Sequence, residues 1–366
     1  MRRLDAKGFD KKTLKLGWLL IILSSIAIAV GLVAIYNASV VEGLRGYNDK
    51  YHFVVQQLKW VFLGLGACMA AYLTPLPLIK KLSPAFFAFV LILMVVVLLP
   101  GLGAKVQGAR RWITIGNFTL QPTEALKLAL VLYLGSFLEK GARFRGFLIL
   151  VGTVTFLTML QPDLGTAIIL VSLSLLMYYL SGAPLKHLAS FGLVAGVVIL
   201  LLVSFSPYRR ARLMTFLDPT NDPLGSSYHI NQILLAIGSG GWNGLGLGRS
   251  RQKYAYLPEA TTDSIFAVIS EELGFIGSLA VIGLFLGIIL VCFQIAARCS
   301  NRYYQLLAAG IASWLGAQTL LNLAAMVALV PLTGIPLPFI SYGGSALVAA
   351  MAGIGLLVNI ARVENL

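Results

Sequence analysis

Charged side chains are scarce in this sequence. Residues of both signs make up 11% of 366, and only 14 of them are acidic against 28 that are basic. A soluble domain carries roughly 25% charged residues, so a water-soluble globule of this length is excluded: too little polar surface exists to cover it. Cysteine is nearly absent as well. Cys68, Cys292 and Cys299 lie in or beside apolar runs, at spacings that fit neither a disulfide framework nor a metal site, and they read as small apolar packing residues. The run Gly238-Ser-Gly-Gly241 with Gly244, Gly246 and Gly248 lacks the Lys-Ser/Thr ending of a phosphate-binding loop and the strand–helix setting of a dinucleotide fold, which argues against ATP use. The formal charge of +14 does not indicate nucleic-acid binding. The basic residues sit mostly in short loops between apolar runs, where topology and anionic headgroups place them.

Apolar residues dominate instead, at 58% with a mean hydropathy of +0.87. Ten candidate spans fall near 16–37, 53–74, 82–100, 122–138, 147–162, 164–181, 187–206, 264–297, 303–330 and 343–361, most of them near the ~20 residues a spanning helix needs. The fifth and sixth nearly touch at Gln161-Pro162-Asp163. The run 264–297 is too long for one upright helix, so it is tilted or begins outside the hydrocarbon. The first run leads into Tyr36-Asn37 and not into a small-residue cleavage site, so no cleavable signal peptide is expected. The fold class is all-α: one polytopic integral membrane domain over 1–366, with about ten transmembrane helices and one large folded extracytoplasmic loop at 207–263. An N-terminus on the inside gathers Arg2, Arg3, Lys7, Lys80, Lys81, Lys140, Arg143, Arg298 and Arg362 on the cytoplasmic side, which places both termini there.

Ionisable groups within spans are costly and usually face a protein interior or a wet cavity. Glu124 and Lys127 are three apart at the start of the fourth span and share a helix face; they read equally as an internal ion pair. Asp163 follows Pro162 at a helix junction, and Glu271-Glu272 lie two turns inside the long eighth span, where a structural role outweighs a catalytic one. Within the long loop, Tyr208-Arg209-Arg210-Ala211-Arg212 is a cation cluster suited to phosphate or diphosphate, or simply to headgroups. Arg110-Arg111-Trp112 suits a membrane interface. Asp263 closes the loop just before an apolar helix, with Glu259 nearby; by pattern alone it reads first as a helix-capping Asp.

Four blocks then carry a resemblance. They are Arg111-Trp-Ile…Gly116…Gln121-Pro-Thr-Glu-Ala-Leu-Lys127; Gln161-Pro-Asp-Leu-Gly-Thr166; the stretch from Tyr208 through Gly248 to Tyr256-Leu-Pro-Glu-Ala-Thr-Thr-Asp-Ser-Ile-Phe266 and Glu271-Glu-Leu-Gly; and Gly334-Ile-Pro-Leu-Pro-Phe-Ile-Ser-Tyr-Gly-Gly-Ser345. In this order, and covering about 16 to 362, they resemble the SEDS family of peptidoglycan glycosyltransferases, the RodA and FtsW type. Leu247-Gly-Arg-Ser-Arg-Gln-Lys253 is closer to the division and sporulation branch. The chain departs from the family pattern at Thr261, where His is usual, at Ser264, where Phe is usual, and at Ala255, often acidic in division-type members.

The resemblance implies an inverting enzyme of the bacterial cytoplasmic membrane that joins lipid II units into glycan strands on the outer face, for division or elongation. It implies Asp263 as general base, with Lys127, Arg210, Arg209, Arg111 and Glu259 at the substrate and Glu124 and Asp163 in support. It also implies a class B penicillin-binding protein as partner. A divalent cation would help neutralise the diphosphate, although no all-protein metal cage is readable. Two other classes compete: a lipid II flippase, disfavoured because no inverted repeat is visible, and a non-catalytic scaffold of the wall-synthesis complex.

Overall fold

The computed structural model describes residues 6–364 except 102, 107–108, 117, 142, 205–206, 219–221, 223–224, 226 and 253–256. All ten apolar runs are helical. In chain order the helices are α1 (Ala6–Tyr47), α2 (His52–Leu73), α3 (Leu76–Val96), α4 (Pro122–Glu139), α5 (Phe144–Leu160), α6 (Leu164–Leu180) and α7 (Leu185–Ser204). Then follow α8 (Pro207–Leu217), α9 (Tyr228–Ser239), α10 (Ile265–Arg298), α11 (Arg302–Met326) and α12 (Gly344–Val363). Helices are what lipid demands, because each backbone N–H and C=O must be satisfied inside its own segment. Among the described residues, α1, α2, α3, α10, α11 and α12 are long and apolar enough to cross a membrane, and α5 and α6 are shorter apolar helices. Phe62, Ile149, Leu193 and Leu320 lie exposed. Apolar surface of this extent is rare on water-soluble monomers, whereas a bilayer solvates it. The chain is a multi-pass membrane protein.

One described segment departs from the all-α expectation, and the long loop has helices of its own. Residues 101–121 contain a three-stranded antiparallel sheet of β1 (Gly103–Val106), β2 (Ala109–Ile115) and β3 (Phe118–Leu120), in the order β1-β2-β3. Ala104 pairs with Trp112 and Thr114 with Thr119. The Trp-Ile-Thr-Ile run of β2 is too short to span and rich in β-branched residues that fit a pleated surface. The loop 207–263 is itself partly helical, carrying α8 and α9.

α4 is buried on almost every side and packs against α3, α11, α6 and α12, while α2 lies along α12 and α1 rests on α10 and α12. The long α10 is interrupted at Gly274, whose φ is 68°. Such a break frees backbone groups on both sides, and the glycine run 240–246 satisfies them. Phe275 N and Ile276 N donate to the carbonyls of Gly241 and Trp242 at 2.8 and 3.2 Å, while Leu245 N and Gly246 N donate to those of Glu271 and Glu272, both at 3.0 Å. The two backbones approach so closely that a Cβ on Gly274 would stand 2.3 Å from Gly244 N, and one on Gly244 would stand 2.1 Å from Glu272 O. This close approach accounts for Gly240, Gly244 and Gly274.

The paired acids of α10 complete the clamp. Glu271 accepts from Ser250 Oγ and from Arg251 N at 2.8 Å, and Glu272 accepts from Asn37 Nδ2 at 2.8 Å. Gly274→Ala is therefore expected to destabilise by about 2–4 kcal/mol, from backbone strain at positive φ plus the steric clash. Gly283→Ala, with open space around it, should be neutral or slightly stabilising. Thermal unfolding of both variants in detergent, followed by tryptophan fluorescence, checks the contrast.

Candidate active site

The site is a turn, 258–264, that the rest of the protein holds by its backbone. Glu259 sits at φ 52°, and its carbonyl accepts from the N–H groups of Thr262 and Ser264, both at 3.1 Å. The carbonyls of Thr261, Thr262 and Asp263 are each taken from outside the turn. Tyr342 N donates to Thr261 O at 2.8 Å, Ser341 Oγ to Thr262 O at 2.5 Å, and Asn322 Nδ2 to Asp263 O at 2.9 Å. The same Asn322 amide holds Ile335 O at 2.7 Å, and Gln318, one turn earlier on α11, holds Pro336 O at 2.8 Å. The segment 332–342, which joins α11 to α12, is thus the floor on which the turn is fixed.

The Asp263 side chain is treated differently from its backbone. It is 8% exposed, and the hydroxyl nearest it, Thr262 Oγ1, lies 3.5 Å away and prefers Glu259 Oε2 at 2.7 Å. Gly334 borders the carboxylate: a Cβ there would stand 3.9 Å from Oδ2. Burial, reinforced by the Glu259 charge and only partly offset by the residue's own backbone N–H, Arg212 and Thr262, lifts the Asp263 carboxyl from its ordinary 3.8 to about 7. A buried carboxylate with a raised affinity for protons is a base poised near neutral pH. It does not act as a helix cap, since the N-cap of α10 is Ser264, without a side-chain capping bond. Asp163 does cap. Its Oδ1 accepts from Thr166 N at 3.0 Å and its Oδ2 from Thr166 Oγ1 at 2.8 Å, at the start of α6.

The cations of the sequence reading separate into different places. Arg111 donates to the carbonyls of Gln161 and Pro162 at 2.8 and 2.6 Å, holding the end of α5, and its neighbour Arg110 reaches Leu98 O beyond α3. Consecutive strand residues point to opposite faces, so β2 ties two helix ends together. Arg210 is exposed on α8. The side chain of Arg209 lies outside the described residues, as do Pro219, Pro223, Lys253 and Ala255. The cation felt at Asp263 is Arg212, whose Nη1 donates to Leu332 O at 2.9 Å. Sequence reading placed it in the cluster without singling it out. Only a helical α8 distinguishes Arg212 from Arg210, since residues three apart share a face and those two apart do not.

Lys127 and Glu124 form a separate buried centre, 1% and 3% exposed with Nζ–Oε2 at 2.7 Å. Lys127 also donates to Gln318 Oε1 at 2.7 Å and lies 5.6 Å from the Trp314 ring. The pair therefore meets the Asp263 turn through α11, by way of Gln318, Pro336, Ile335 and Asn322. Among the described residues no three His, Cys, Asp or Glu side chains gather as metal ligands. Asp263 and Glu259 still suit a magnesium-like ion, which is commonly held by one or two carboxylates together with substrate phosphates.

A bundle of membrane helices with a fixed carboxylate turn at the end of one of them defines a multi-pass membrane protein bearing a polar reaction site. The FTSW_RODA_SPOVE family, described as "Cell cycle protein", matches residues 17–366, and this chain belongs to it. The chain is 40% identical to the probable peptidoglycan glycosyltransferase FtsW of Thioalkalivibrio sp. (strain K90mix), covering 93% of this chain and 88% of that protein. It is 37% identical to the stage V sporulation protein E of Bacillus subtilis, covering 95% and 97%. Among solved structures it is similar to a chain of a peptidoglycan synthase complex that coordinates polymerization and crosslinking, with a TM-score of 0.79, 29% identity and coverage of 95% and 98%. It is also similar to the rod shape determining protein RodA of Thermus thermophilus, with a TM-score of 0.71, 28% identity and coverage of 95% and 97%.

Proposed function

We propose that this protein is a peptidoglycan glycosyltransferase that polymerises lipid II into glycan strands, with Asp263 as its general base. The observation that carries the assignment is the Asp263 turn: three successive carbonyls are immobilised while the carboxylate is buried beside the Glu259 charge. An acceptor sugar hydroxyl must lose its proton as it attacks the anomeric carbon of the lipid-linked donor, and Asp263, ionised above about pH 7, receives it. The α-linked donor and β-linked product require a single displacement with inversion, so no covalent nucleophile is needed. Negative charge then develops on the departing polyprenyl diphosphate, where fixed cations are most effective. Arg212 acts on the base through its charge, and Arg209 and Arg210 share its helix. Lys127, Glu124, Arg111 and Asp163 act at one remove, holding α4, α5, α6 and α11 in register. A divalent cation held by Asp263 and Glu259 would add charge neutralisation at the diphosphate.

The site works on the outer face of the cytoplasmic membrane, with both termini cytoplasmic, as the distribution of Lys and Arg over the short loops supports. A class B penicillin-binding protein is the proposed crosslinking partner, a reading supported by the similarity to a chain of a peptidoglycan synthase complex.

Purified protein supplied with labelled lipid II tests the assignment. Asp263→Ala should reduce polymer formation by about 100-fold to 10,000-fold, the range for loss of a positioned base, with its thermal unfolding still cooperative. Undiminished polymer from that variant removes Asp263 from the chemistry. Lipid translocation without polymer from the wild type would identify a flippase.

A further inference from the structure

His229, one of three histidines in the chain, enters the site from α9. Its Nε2 lies 2.8 Å from Ser264 Oγ. Ser264 is the last residue of the turn that holds Glu259 and Asp263, so the imidazole ties the end of that turn to α9. In a neutral ring one nitrogen donates and the other accepts, and a hydroxyl can pair with either.

Two further observations fit. Ser264 is fully buried at the N-cap position of α10, yet its side chain makes no capping bond; the hydroxyl is committed to His229. Burial, and the positive charge of Arg212, lower the histidine's affinity for a proton, against the opposing pull of Glu259 and the Pro258 carbonyl. The neutral, one-donor, one-acceptor form is therefore favoured in the folded protein.

We propose that His229 is the positioning residue of the Asp263 turn, fastening Ser264 to α9 so that the adjacent carboxylate is held in its buried, weakly solvated place. This rests on the reading of Asp263 as base. His229 does not exchange protons with substrate; it acts through the Ser264 hydroxyl.

The test compares full-length wild type, His229→Ala, His229→Gln and Ser264→Ala, with Asp263→Ala alongside. In His229→Ala, kcat with lipid II should fall by about 10-fold to 100-fold, the scale of a small misplacement of a reacting group, with KM nearly unchanged. The acid limb of its pH–rate profile should move below that of the wild type, because a loosened turn lets water reach Asp263. Amide hydrogen exchange at Thr262 and Ser264 should quicken by about 10-fold or more, as local opening becomes easier. His229→Gln keeps a donor and an acceptor and should recover part of each effect. Ser264→Ala removes only the hydroxyl and carries the same test should His229→Ala fail to fold. An unchanged kcat and acid limb in His229→Ala, beside an inactive Asp263→Ala, overturns the positioning role. An active Asp263→Ala sinks the base assignment separately; unchanged exchange at Thr262 and Ser264 then overturns the His229 fastening by itself.

Discussion

Asp263→Asn is expected to give a protein that resists heat better than the wild type at pH 8 and forms no glycan polymer. The asparagine keeps the shape of the side chain and the backbone anchors of the turn, but it removes a charge that is 8% exposed and lies beside Glu259. In the wild type the carboxyl is raised from 3.8 to about 7 in the folded state. Below about pH 4 the group is protonated whether the chain is folded or unfolded, so it contributes no pH-dependent difference. As pH rises, the unfolded chain ionises first while the folded one resists. Stability is thus lost progressively up to about pH 7 and stays lost above it.

The rise from 3.8 to about 7 corresponds to at most about 4 kcal/mol. The melting-temperature advantage of Asp263→Asn should therefore grow between pH 5 and pH 7 and level off by pH 8. Glu259→Gln removes the neighbouring like charge and should move the acid limb of the wild-type activity profile to lower pH. A pH-independent advantage, or a loss of stability in Asp263→Asn, would show that the carboxylate is better solvated than its surroundings imply. Exchange of stability for activity at one side chain is expected where a strained group does the chemistry.

The second large effect belongs to the buried pair. Lys127→Met should destabilise the protein by about 3–5 kcal/mol, because it leaves the Glu124 carboxylate buried without its cation. The double variant Glu124→Met/Lys127→Met should regain most of that loss, since two apolar side chains of similar volume replace the pair without leaving a charge behind. Trp314 Nε1 still donates to Gln318 Oε1 at 2.9 Å, so the Gln318 hold on Pro336 survives. Activity tests the scaffold role proposed for Lys127 against direct binding of the diphosphate. If it is a scaffold reaching the site through α11, the double variant regains polymerisation along with stability. If it binds the diphosphate, the double variant is stable and inactive. Thermal unfolding and the lipid II assay on the same preparations decide between them.

Reading along the chain located the helices well, because their cause is local and solvent-driven. A run of about 20 apolar residues in lipid has to satisfy its own backbone, and each of the ten runs is a helix. The long eighth run posed a local question as well, answered by the break at Gly274. Where several local structures were open, sequence pattern was a weaker guide. The Arg-Arg-Trp-Ile-Thr-Ile segment became a sheet strand, and two stretches of the long loop became α8 and α9. Asp263 was recognisable as a candidate, but its own pattern pointed to a helix cap, and the family blocks supplied the catalytic reading.

By itself, then, the sequence determined a membrane-embedded helical bundle, its family, and the short list of ionisable residues from which a site had to be built. The tertiary structure alone decided which residue on that list does what. Asp163 caps a helix while Asp263 does not; the charge of Arg212 bears on Asp263; Lys127 is enclosed by Glu124, Gln318 and Trp314; and Gly240 and Gly244 serve the break in α10. Each distinction rests on a partner far away along the chain, such as Asn322 for Asp263, Leu332 for Arg212 or His229 for Ser264. A side chain's burial, donors and proton affinity come from those distant partners, and they exist only once the helices have packed.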